Sequence, residues 1–149
     1  MRSLSIPLFL ALSACAAQPT VRPLVGPQVM SPALAVLAAA DAAPGGVPGR
    51  FGFVVQRAAW VGPRLFLNSY PDYRDQRNLS ISIEPSALAG LRRAFGVDLS
   101  RAFMNKPVVV DGVARRVRID FTYAGRPTSK YHYQTHVLVS SPGQIRITA

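Results

Sequence analysis

One cysteine leaves no partner for an internal disulfide and no cysteine-based metal site, and this chain has only Cys15. Histidine is almost as scarce. His132 and His136 are the only two, and they fall in the strand-like segment 131–137. Four residues of strand separate two imidazoles by roughly 13 Å, too far to chelate one ion. No Glu follows His132 as in the zinc-protease motif, so neither a metal nor a cofactor is expected. There are seven acidic residues. The closest pair, Asp72 and Asp75, lies beside Arg74 and Arg77 in the composition of a salt-bridged loop. No Gly-x-Ser-x-Gly elbow is present. After residue 15 no apolar run approaches the about 20 residues a membrane helix needs. A hydrolase would require acids brought together only by the fold, and the expectation is a domain that is not an enzyme.

The N-terminus is better furnished. Met1-Arg2 is followed by an uncharged apolar stretch from Leu4 to Leu12, the layout of a secretory signal. The next residues, Leu12-Ser13-Ala14-Cys15, match all four positions of a pattern of Leu, a small residue, Ala or Gly, then Cys. That run resembles the lipobox of bacterial lipoproteins. The resemblance implies that residues 1–14 are a signal peptide, that Cys15 becomes the first mature residue and carries the lipid, and that the protein sits in the cell envelope. Ala16, where Asp marks inner-membrane retention, implies by the same analogy an outer-membrane anchor facing the periplasm.

Loss of Arg2 with the signal leaves a mature net charge of about +9, and 15 of the 17 basic residues are arginine. Guanidinium groups suit phosphate and carboxylate. A GC-rich genome writing Arg for Lys accounts for the same bias. The charge itself favours anionic partners such as phospholipid headgroups, lipopolysaccharide, nucleic acid or acidic polymers.

Residues 15–49 are rich in Pro and Ala and read as a tether, with six of the 13 prolines between residues 16 and 50. Within it, Ser31-Pro32 is a helix start. A short helix to Ala43 is predicted, with Leu34 and Leu37 as its thin apolar side, either packed on the domain or lying in the linker. From Arg50 the pattern becomes strands: Phe51–Trp60, Arg64–Ser69, and Asn78–Glu84 with Leu79, Ile81 and Ile83 alternating against Ser80 and Ser82. Leu88, Leu91 and Phe95 then fall on one stripe of a helix that Gly96 ends, and Asp98 caps a further turn through Phe103. Strands resume at Lys106. Val113, Val117, Ile119, Phe121 and Tyr123 share one face of a long strand, and Tyr131–Ser140 and Gln144–Thr148 follow.

This order resembles the OB-fold, a five-stranded Greek-key barrel with one helix between strands three and four. Three segments strengthen the likeness to uncharacterised bacterial OB-fold domains: Phe66-Leu67-Asn68, Lys106 to Val113, and Ser141-Pro142-Gly143-Gln144-Ile145-Arg146-Ile147. The resemblance covers residues 50–149 and departs at Asn105, where the pattern has Gly. It implies a mainly β domain over those residues. The expected core is Phe53, Val55, Leu79, Ile81, Ile83, Val117, Ile119 and Val137, with Leu88, Leu91 and Phe95 closing one end. The motifs transfer no catalytic residue.

OB-folds usually bind on strands two and three and on the loops after strands one and four. The aromatic and basic residues there are Trp60, Arg64, Phe66, Tyr123, Arg126, Lys130, Tyr131 and Tyr133. Such interleaving suits stacking on rings with phosphate pairing; aromatics also populate strands simply because they pack well. The expected function is a membrane-anchored envelope lipoprotein whose basic domain binds a protein or an anionic envelope polymer. The alternative is a single-stranded nucleic-acid binder, which export from the cytoplasm disfavours.

Overall fold

A computed structural model describes residues 28–149. The signal, Cys15 and the first part of the tether lie outside the described residues.

Ser31 holds an extended backbone and its hydroxyl accepts from Leu34 N, so Pro32 opens helix α1, Pro32–Asp41. The helix packs on the sheet. Its inward side is not the leucine pair predicted. Leu34 and Leu37 are 59% and 63% exposed, whereas Ala35 and Ala39 are fully buried. Alanine lets the helix backbone lie close against the strands beneath it, and the larger leucines are turned outward. The short strand β1, Val29–Met30, pairs in parallel with β2, Val47–Val54. Residues 29–41 thus join the domain, and the helix is of the packed kind.

The remaining elements are β3 (Arg57–Val61), β4 (Arg64–Asn68), β5 (Leu79–Ile83), α2 (Pro85–Phe95), α3 (Leu99–Phe103), β6 (Pro107–Tyr123), β7 (Arg126–Val139) and β8 (Ile145–Ile147). The protein is mainly β, with one mixed sheet in the order β1-β2-β6-β7-β5-β4-β3 and β8 added to β6. The β5–β7 pair is parallel, and all other neighbours except β1–β2 are antiparallel. β3, at one end of this path, is joined through the chain to β2, next to the other end, because only Val55 and Gln56 separate them. At that corner Val55 N donates to Lys106 O, and Gln56 N to Asn68 O.

Among the described residues eight strands stand where a five-stranded barrel was predicted, β8 being the short terminal strand read at Gln144–Thr148. The predicted strand Phe51–Trp60 divides at Val55-Gln56 so that its halves can pair with different partners, β6 and β4. β1 arises within the segment read as tether.

The core contains Phe51, Val55, Leu65, Leu67, Leu79, Ile81, Ile83, Val110, Ala114, Val137 and Val139, all fully buried. Leu88 and Leu91 of α2 are buried with them, and Phe95 is half-buried with its ring 5.1 Å from that of Phe103. Two predicted core residues are on the wrong face. Val117 and Ile119 are only half-buried. β6 turns its even-numbered residues Val108, Val110 and Ala114 into the core, and strict alternation then sends Val117 and Ile119 to the opposite side. Phe53 is also half-buried, packed at the margin of the core.

Candidate functional site

The alternation that buries one face of the sheet builds the site on the other. In β4, Leu65 and Leu67 point inward, so Arg64, Phe66 and Asn68 point out. In β5 the outward residues are Ser80 and Ser82. In β7 they are Gln134, His136 and Leu138, and in β6 Val117 and Ile119. The register places Phe66 beside Ser82, Asn68 beside Ser80, and Ser80 beside His136.

Of these outward residues, Phe66, Asn68, Ser80, Ile119, Gln134 and His136 line a cleft of about 440 Å³ together with Arg57, Tyr73 and Trp60, the last set opposite inward-facing Leu65 and so at the cleft's edge. Phe66 meets the His136 ring edge-on at 5.7 Å. Trp60 is 43% exposed, and the Arg92 guanidinium lies 5.9 Å from its ring centroid.

The polar side of the cleft is held by a buried network. Asn78 Nδ2 donates to Asn68 Oδ1 and Ser80 Oγ, and the Ser80 hydroxyl donates to Asn68 Oδ1 at 2.7 Å. Asn78 Oδ1 accepts from the Tyr70 amide and the Ser69 hydroxyl. Two donors on Asn68 Oδ1 orient that amide, so its NH2 group faces the cleft without a partner among the described residues. A second chain runs along β7: Gln134 Nε2 donates to His132 Nε2 at 2.9 Å, and His136 Nε2 donates to Gln134 Oε1 at 2.8 Å. The two histidines are thus bridged by Gln134. Burial, and secondarily the charge of Arg64, pushes His136 down to about 4, so it is neutral at pH 7.

His136 also lines an adjoining hollow of about 450 Å³, with Arg64, Ser82, Arg115, Val117 and Gln144. Arg64 donates to Glu84 Oε1 at 3.0 Å. Among the described residues no acidic side chain lines the cleft or the hollow.

The β6–β7 hairpin carries a separate cluster. Arg116 stacks on Tyr133 at 3.8 Å and Arg118 on Tyr131 at 4.1 Å, and the two tyrosines meet edge to face at 5.6 Å. Tyr131 and Tyr133 alternate with His132, Gln134 and His136, so they face away from the cleft.

The sequence-predicted residues therefore divide. Trp60 and Phe66 line the cleft, and Arg64 lines the adjoining hollow. Tyr131 and Tyr133 stand on the other face of the hairpin, while Tyr123, 81% exposed, Arg126 and Lys130 lie at and near its exposed end. Cys15 lies outside the described residues. Sequence reasoning missed Asn68, Ser80, Gln134, His136 and Tyr73 as cleft residues, and Arg116 and Arg118 as stacking partners. The alternation of Leu-Ser-Ile-Ser-Ile in β5 held the signal for Ser80 and Ser82. They are 1% and 2% exposed, too buried for a plain solvent face.

No family model and no curated protein matches the chain. Among solved structures it is similar to a chain described as an aspartyl-tRNA synthetase from Leishmania major Friedlin, with a TM-score of 0.46 and 13% identity over 90% of this chain and 22% of that one. It is also similar to an aspartyl-tRNA synthetase from Entamoeba histolytica, with a TM-score of 0.42 and 11% identity over 89% of this chain and 24% of that one. The chain thus spans about a quarter of the length of each.

Proposed function

We propose that this protein is an OB-like, non-catalytic binding module that takes single-stranded nucleic acid in the cleft over β4, β5 and β7. The observation that carries the reading is the cleft itself: Phe66 and Tyr73 are its aromatic wall residues, Trp60 stands at its edge, and Asn68, Ser80, Gln134 and His136 are its polar lining. A flat heterocycle with polar edges matches both features. The OB-like assignment is supported by the strand path whose end strand β3 is joined to β2 through Val55-Gln56, by the parallel β5–β7 pair, and by α2 lying between β5 and β6. Absence of an acid from the cleft and hollow favours binding over hydrolysis.

This reading is preferred to an adaptor for a protein because the walls combine ring faces with arginines. Among the described residues Arg57, Arg92, Arg115, Arg116, Arg126 and Lys130 make no ion pair, while every acid except Asp41 and Asp98 is bonded to an arginine. The surplus charge is available to phosphates. The lipobox-like segment adds an envelope anchor on Cys15 at the outer membrane, so the nucleic acid met there lies outside the cytoplasm.

Trp60 is the only tryptophan and a direct probe. Oligothymidylate added to the full chain is expected to quench its fluorescence, with affinity falling steeply as salt rises. Phe66→Ala is expected to weaken binding by about 1–3 kcal/mol, the usual worth of one stacked base. Replacing Arg126 and Lys130 by Glu is expected to weaken binding and flatten its salt dependence, with the melting temperature nearly unchanged. Quenching by acidic polysaccharide but not by oligonucleotide would defeat the nucleic-acid reading and favour an envelope polymer.

A further inference from the structure

We infer that the hollow beside the aromatic cleft is a phosphate subsite formed by Arg64, Arg115 and Ser82, occupied by the backbone of the strand whose base lies in the cleft. The inference rests on the nucleic-acid reading and deepens it.

Ser82 is the sharpest pointer. It is 2% exposed, and its Oγ has no hydrogen-bond partner among the described residues. Ser80, two residues earlier on the same face, both donates to Asn68 and accepts from Asn78. A buried hydroxyl without a partner is costly and calls for a ligand or ion to complete it. Ser82 lies at the floor of the hollow, which Arg64 and Arg115 also line.

Each arginine has donors to spare. Arg64 makes one bond, from Nη2 to Glu84, and Arg115 one long bond, from Nη1 to Gly45 O at 3.3 Å. A guanidinium has five N–H groups in a fork that matches phosphate oxygens. Glu84 is occupied by Arg64 and does not line the hollow. His136 lines both cavities, so a ring in the cleft and an anion in the hollow would lie on either side of one imidazole. That imidazole is neutral, held at about 4 by burial and by Arg64. An anion beside it would draw its titration back toward the ordinary histidine value.

The test uses the full chain, with Trp60 fluorescence reporting binding of short oligothymidylate and of its uncharged methylphosphonate analogue. Wild type is expected to bind the phosphodiester oligomer more tightly. Ser82→Ala and Arg115→Gln should each weaken that oligomer about tenfold and leave the analogue unchanged. Without ligand, Ser82→Ala should melt no lower than wild type, since it removes an orphaned hydroxyl. Inorganic phosphate should raise the NMR titration midpoint of His136 in wild type and not in the variants. Equal loss of both oligomers in the variants, or a His136 midpoint indifferent to phosphate, overturns the phosphate subsite while leaving the base cleft intact. No binding of either oligomer, with His136 still responding to phosphate, overturns the nucleic-acid reading instead. Tighter binding to phosphatidylglycerol vesicles than to the oligomer, lost in the same variants, reassigns the hollow to a lipid headgroup and overturns the nucleotide assignment.

Discussion

His136 shows what a single side chain contributes beyond its place in a pattern. In the sequence it is one of two polar residues on a strand face. In the fold it is half-buried against Phe66, bonded to Gln134 and paired across the sheet with Arg115. Its proton affinity falls to about 4, chiefly through burial and then through the charge of Arg64. The unfolded chain keeps the ordinary value near 6.5. Between these limits the unfolded state binds more protons, so stability rises with pH across the window and is lost as pH falls from about 6.5 to about 4. The loss is on the order of 3 kcal/mol for one group shifted this far. Four aspartates, Asp72, Asp75, Asp98 and Asp111, are held below the usual carboxylate range by hydrogen bonds, mostly from arginines. Asp75 is held near 2 by its bonds to Arg77, and Asp111 is held down by Arg50. Urea unfolding at pH 7 and pH 4.5 should therefore show a smaller acid loss in His136→Gln than in wild type. An identical loss in the two proteins would assign the acid sensitivity to another group.

At the scale of elements, alternation was legible and its phase was not. The β5 pattern placed Leu79, Ile81 and Ile83 inward because polar serines marked the other side. In β6 the apolar set Val113, Val117 and Ile119 looked like a core face. The true core face holds only Val108, Val110 and Ala114 before the strand runs on into the hairpin, where arginines occupy the same parity. Val117 and Ile119 instead line the hollow and the cleft, which is why the site was only partly visible: its apolar half was assigned to the core. The split of the first strand depends on pairing with β6 and β4 at once, a tertiary demand no local pattern records. Helix α1 makes the same point, since its proline-opened start was legible and its buried side was not. Overpacking it should be costly. Ala39→Leu puts added carbons against a fully closed interface and is expected to destabilise by about 1–3 kcal/mol. Leu37→Ser alters a residue 63% exposed and should stay within about 0.5 kcal/mol. Chemical denaturation of both variants measures this. Equal small effects would mean that α1 does not share the cooperative core.

For the whole molecule, the division of charge and the proposed anchor bear on each other. The ion pairs Arg50–Asp111–Arg146, Arg64–Glu84, Arg74–Asp72, Arg77–Asp75 and Arg118–Asp120 consume most of the acids, and Arg115, Arg116, Arg126 and Lys130, which make no ion pair among the described residues, gather on one hairpin. Such a surface is drawn electrostatically to any anionic layer, including a bilayer, without a covalent anchor. Membrane association by itself therefore does not distinguish lipidation at Cys15 from surface attraction, but salt does. Screening lengths shrink to about 3 Å at 1 M salt, which releases a protein held by exposed charge and leaves an acyl-anchored one in place. The wild-type chain is expected to remain with membranes in a high-salt wash, and Cys15→Ala to be released or to persist as an uncleaved precursor of higher mass. Wild type washed off at high salt, with a mass lacking the added lipid, would remove the anchor and leave the basic hairpin as the whole basis of membrane contact.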